Sequence, residues 1–141
     1  MEQRLSLVTL AVADRARTRT FYVSGLGWTP VVDEQDVLMF AVADRLLLSW
    51  WEEASFEAEV GPVRRGAGLA PITLAHNCVD RAAVDGVLAD ACAAGADPVE
   101  DARDREWGGY SGYFADPDGY RWEIAWAPGD FARLMVPDSK E

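Results

Sequence analysis

The sequence predicts an α+β chain in which one strand–helix–three-strand pattern is used twice. Three observations predict it. First, short motifs return in the same order. Thr9-Leu10-Ala11 comes back as Thr73-Leu74-Ala75, and Asp14-Arg15-Ala16 as Asp80-Arg81-Ala82, the order expected of an internal repeat. Gly25 and Gly95 each stand before a strand, and Phe40-Ala41 is answered by Phe114-Ala115 beside Asp116. Second, Ala83, Val84, Val87, Leu88 and Cys92 recur at helical spacing between Asp80 and Gly95. Third, the residues around Asp116-Pro117-Asp118-Gly119 alternate as a hairpin does.

Each element has a local reason. Leu5–Val12 is a buried strand; its A-x-A ending imitates a secretory leader, but Glu2 stands where a leader is positive. Asp14 caps a helix through Gly25 with Phe21 and Tyr22 facing the core, and Gly25-Leu26-Gly27 stops it. Trp28–Val32, Val37–Val42 and Arg45–Trp51 are the three strands that complete the first module. Glu52–Pro71 starts acidic and ends rich in glycine, as a linker does. Pro71–Cys78 is again a strand, followed by the helix opened by Asp80 and closed by Gly95. Asp97–Glu100 is a short strand and Asp101–Glu106 a charged loop. In the final hairpin Asp116-Pro117-Asp118-Gly119 suits a type I turn. Beyond it Tyr120, Trp122, Ile124 and Trp126 share one face, and Arg121, Glu123 and Ala125 the other. The whole is a single domain over 1–141: module 1 over about 4–52, linker over about 53–70, module 2 over about 71–128, and a tail over 129–141.

Composition narrows the function classes. A chain of 141 residues buries roughly two-thirds of its unfolded surface, enough for a stable core. Its formal charge of −11 repels phosphate backbones and anionic lipid, so neither nucleic acid nor membrane is an expected partner. The longest uncharged run, 66–79, is too short to span a bilayer. Cys78 and Cys92 form no C-x-x-C pair and read as small buried hydrophobes of a reduced, cytoplasmic protein.

At Phe21–Trp28, FYVSGLGW, and Phe114–Ile124, FADPDGYRWEI, the chain resembles the vicinal oxygen chelate superfamily. That family includes glyoxalase I, bleomycin-resistance proteins and extradiol dioxygenases. The first stretch is similar to the family's F-Y-x-x-x-L-G element and the second to its F-x-D-P-D-G-x-x-x-E-[LI] element. The resemblance implies two βαβββ modules forming an open eight-stranded cup with helices outside, and often a homodimer.

In metal-dependent members a His or Gln in each module's first strand and a Glu in each last strand hold a divalent ion, which acts as a Lewis acid. Carried over, the last position is Glu123. Its first-module counterpart is Leu48, or Ser49 if the register slips by one; the first-strand positions are Leu7 and either Pro71 or Thr73. One carboxylate does not hold a catalytic ion, so no cofactor is expected. The sole histidine, His76, is the outside candidate for a metal ligand. Alternation sets it opposite Thr73, Ala75 and Asn77 unless a bulge turns it inward.

The resemblance and these residues together suggest a small-molecule binder without a catalytic metal. A partly aromatic ligand would lie among Phe40, Trp50, Trp107, Tyr110 and Tyr113, oriented by Asn77, Arg121 and Glu123. Glu123 is also the one catalytic candidate. The first alternative is a lyase, isomerase or dioxygenase of the same family, using a divalent metal with unusual ligands or Glu123 as a general base. The second is a non-catalytic interaction subunit.

Overall fold

Strand β1 (Leu7–Val12) sends Leu10 and Val12 into the core. The Asp14 carboxylate then accepts the Arg17 N–H at 3.1 Å and starts helix α1 (Arg15–Arg19). The helix widens into a π-helical stretch, Thr20–Gly25, in which Phe21 and Tyr22 are both buried. Gly27, at φ +73°, ends it in a left-handed conformation open to glycine. Strands β2 (Val32–Asp33), β3 (Val37–Ala43) and β4 (Leu46–Glu52) follow. They form a mixed sheet of order β1-β4-β3-β2, with β1 parallel to β4. Tyr22 packs on Trp50 with ring centroids 4.1 Å apart, and Trp28 and Phe40 close the aromatic cluster. Trp28 thus belongs to the core rather than to a strand, and β2 is shorter than the sequence suggests.

The stretch expected to be an irregular linker opens instead with a helix, α2 (Glu53–Glu59). It is held by tertiary contacts. Phe56 meets Trp51 edge-on, and Arg65 bridges Glu53 at 2.9 Å and Glu57 at 3.1 Å. The structure, a computed structural model, describes residues 1–137 and falls into two units, Met1–Gly68 and the remainder from Leu69. Residues 138–141 of the expected tail lie outside the described residues.

The second unit repeats the first. Strand β5 (Thr73–Asn77) precedes helix α3 (Arg81–Ala94), which Asp80 caps by accepting the Ala83 N–H at 2.7 Å. Strands β6 (Val99–Asp104), β7 (Tyr110–Ala115) and β8 (Arg121–Trp126) give the order β5-β8-β7-β6, with β5 parallel to β8. Most of the expected 101–106 loop, up to Asp104, is therefore strand, accommodated by a bulge between Glu100 and Arg103. Val84, Leu88 and Ala91 of α3 are buried against this sheet, whereas Cys92 is exposed, contrary to expectation. The architecture is α+β: two open, four-stranded mixed sheets, each with helices. Among the described residues no helix is long and apolar enough to cross a membrane.

Candidate functional site

The second sheet has one face under α3 and one open in part: Asn77, Tyr113, Arg121 and Glu123 are partly exposed there, while Ser111, Ala115 and Ala125 are buried. Trp122 and Ile124 are buried on the helix side, and Gly112 sits so near Leu88 that an added Cβ would approach its Cδ1 to 2.6 Å. Because side chains alternate, Arg121, Glu123 and Ala125 point to the opposite face. The register builds three rows there. Thr73 and Ala115 flank Arg121; Ala75 and Tyr113 flank Glu123; Asn77 and Ser111 flank Ala125. Beta-turn chemistry fixes the start of β8. The buried Asp116 carboxylate accepts the N–H groups of Asp118 and Tyr120 at 2.9 and 3.0 Å, and Gly119 adopts φ +85°.

The polar groups on this face are connected. Burial, then the charge and hydrogen bond of the Glu123 carboxylate, push the Tyr113 hydroxyl above its ordinary value of 10.0. The Arg105 guanidinium lies 5.6 Å from the centroid of the Tyr113 ring. The same group donates to the Ser111 hydroxyl at 2.9 Å and to the Ser111 carbonyl at 2.8 Å. Tyr113 thus has Arg105 against its ring and Glu123 beside it in register. The Arg121 guanidinium and the Asn77 amide have no hydrogen-bond or ion-pair partner among the described residues, so both keep donors for a ligand.

Arg105 and Ser111 were not singled out as binding residues from the sequence. The signal available was one of two arginines, Arg103 and Arg105, set in the acidic stretch 100–106, before a hairpin rich in small residues.

Other expected ligand contacts fall elsewhere. Trp50 and Phe40 are 0% and 2% exposed in the aromatic core of the first unit, on the side that meets Tyr22. They are packing residues, a correction with a simple cause: β4 reads LLLSWWE, apolar on both faces, and gives no sign of which side is covered. Tyr110 is likewise on the α3 side, where its hydroxyl donates to Asp85 at 2.8 Å and Arg81 lies over its ring and that of Trp126. Trp107 is half exposed at the tip of the β6–β7 hairpin, its ring laid across Gly109. His76 is an exposed residue of the edge strand, in register with Ile124 and so on the α3 side.

The four family ligand positions can be placed by register. Ser49 pairs with Thr9 and Met39 on the face of the first sheet away from Tyr22, where it is buried, and Leu7 is on that same face; Leu48 is on the Tyr22 side. Thr73 and Glu123 share the open face of the second sheet. A leucine, two hydroxyls and one carboxylate do not fit a divalent ion, which needs several carboxylate, imidazole or thiolate donors. Among the described residues no three of His, Cys, Asp and Glu group as a metal site. Nor is Cys78 poised as a nucleophile: burial and the nearby Asp80 push its thiol up, away from the thiolate.

Comparison with known proteins agrees with this architecture. The sequence profile of the Glyoxalase/Bleomycin resistance protein/Dioxygenase superfamily matches residues 4–124. A glyoxalase-related enzyme from Fulvimarina pelagi is 30% identical, with 90% of each chain covered and a TM-score of 0.81. Lactoylglutathione lyase from Agrobacterium tumefaciens is 22% identical over 90% of this chain and 96% of that one, TM-score 0.67. The fosfomycin resistance protein FosX from Mesorhizobium loti is 20% identical over 96% and 100%, TM-score 0.65. The last two bear on the fold alone. No curated protein matches the chain. With twinned βαβββ units and a matching profile over most of its length, the chain belongs to the Glyoxalase/Bleomycin resistance protein/Dioxygenase superfamily.

Proposed function

We propose that the protein binds a small, partly aromatic molecule on the open face of its second sheet, and that it does so without a catalytic divalent metal. The observation that carries the reading is the state of that face. Tyr113 has Arg105 against its ring and Glu123 beside it, while Arg121 and Asn77 on the same face have hydrogen-bonding capacity unspent among the described residues. An aromatic ring with a few oriented polar groups is what a small-molecule site requires. The poor donor set at the family's ligand positions supports the metal-free half of the reading. Trp50, Phe40 and Tyr110 have no part in it, because each is engaged on a covered face.

The test combines two measurements on the full chain. Elemental analysis of protein purified without chelator should find far less than one divalent ion per chain. A thermal-shift titration with simple aromatic acids should raise Tm, since a ligand at a hundred times its dissociation constant stabilises by about 2.7 kcal/mol. A stoichiometric metal that disappears in Glu123→Ala would overturn the proposal.

A further inference from the structure

The open face of the second sheet also specifies what kind of molecule fits it. Arg121 and Glu123 are two residues apart on β8 and point the same way, so their backbone positions are about 6.6 Å apart along the strand. Their charges are opposite, and they are not spent on each other: no ion pair joins them among the described residues. A carboxylate can accept several hydrogen bonds, so Glu123, in register beside Tyr113, has room for a ligand's donor. Beside each charge the register sets an alanine, Ala115 next to Arg121 and Ala75 next to Glu123. On the β5 side Thr73 and Ala75 are short and exposed, whereas Ala115 on the β7 side is buried, so the room beside the two charged heads lies along β5.

We infer that the ligand is a planar aromatic carrying an acidic group at one end and a hydrogen-bond donor, an amine or hydroxyl, at the other. This rests on the second-sheet binding reading and adds the substrate class to it. The acidic group pairs with the Arg121 guanidinium, whose planar fork suits a carboxylate. The donor at the far end meets the Glu123 carboxylate, and the ring lies over Thr73 and Ala75 of β5. Groups at opposite ends of a benzene ring match the spacing along β8; groups on adjacent ring carbons fall short of it.

Isomers separate the two conditions. Dissociation constants of the full-length protein for 4-aminobenzoate, 2-aminobenzoate, benzoate and aniline are measured by calorimetry or chemical-shift titration. The para isomer should bind about tenfold or more tighter than each of the others. Arg121→Gln should lose that advantage over aniline, Arg121→Lys should keep part of it, and Glu123→Gln should lose the advantage over benzoate. Circular dichroism of each variant checks that it folds. If the four probes bind alike and the substitutions change nothing, the inferred class is wrong although a site exists. If none of them binds, the second-sheet binding reading fails with it.

Discussion

Gly112→Ala should destabilise the second unit without any help from backbone strain. Gly112 is an interior residue of β7, facing α3, where a Cβ would come 2.5 Å from the Glu100 carbonyl oxygen, 2.6 Å from Leu88 Cδ1 and 2.9 Å from the Ala102 nitrogen. Leu88 can rotate away. The two backbone atoms belong to the bulge of β6 and can yield only if that bulge opens. Forcing a methyl into a packed site costs about 1–3 kcal/mol. Restricting the unfolded chain returns about 0.4–1 kcal/mol. The net loss is then about 1–2 kcal/mol. With a urea m-value of about 1–3 kcal/mol/M, the midpoint should fall by roughly 0.5–1 M. Equilibrium urea unfolding followed by circular dichroism reads this directly. Adding Leu88→Ala to the variant should not relieve the clash fully, because two of the three contacts are with backbone. A midpoint equal to or above that of the parent would refute the close approach of β6, β7 and α3.

Four further outcomes follow from the same geometry. Asp116→Ala leaves two turn N–H groups without their acceptor and should cost about 1–3 kcal/mol, measured by urea unfolding. Trp50→Phe removes a buried indole whose Nε1 has no partner, so it should cost only about 1 kcal/mol by urea unfolding and leave probe binding by calorimetry unchanged. The Asp33 carboxylate is held below its ordinary value of 3.8, chiefly by its hydrogen bond to Arg19 and then by Arg15. Its contribution is therefore present above about pH 4 and lost as pH falls through the depressed value. The stability gap between parent and Asp33→Asn should close in unfolding curves taken at successively lower pH. Tyr113 has the opposite sign: its raised value makes its contribution complete below pH 10 and lost as pH climbs beyond, which an alkaline melt of the parent against Tyr113→Phe should show.

Much of this fold is written in local signals. Asp14, Asp80 and Gly95 mark helix ends by side-chain and backbone chemistry that needs no tertiary context, and the Asp116–Gly119 turn does the same for the last hairpin. Helix α2 was illegible because its sequence, EASFEAE, has one large apolar residue and its anchors, Trp51 and Arg65, lie outside it. At the candidate site the sharing of one face by Arg121 and Glu123 follows from alternation alone. That Tyr113 joins them follows from hairpin register. The contact of Arg105 with Tyr113 and Ser111 depends on where a loop side chain folds back, which periodicity does not encode. For Trp50, Phe40 and Tyr110 the alternation was readable, but not which face a helix would cover.

The two sheets share a strand order while their matching faces have diverged. Where the second presents Glu123 beside Tyr113, the first presents Ser49 beside Met39, with its hydroxyl buried and unpartnered. The repeat is kept in strand order but not in these side chains. If a ligand binds on the second sheet as proposed, a titration saturates at a single equivalent per polypeptide, and mutations in the twin halves need not be equally silent.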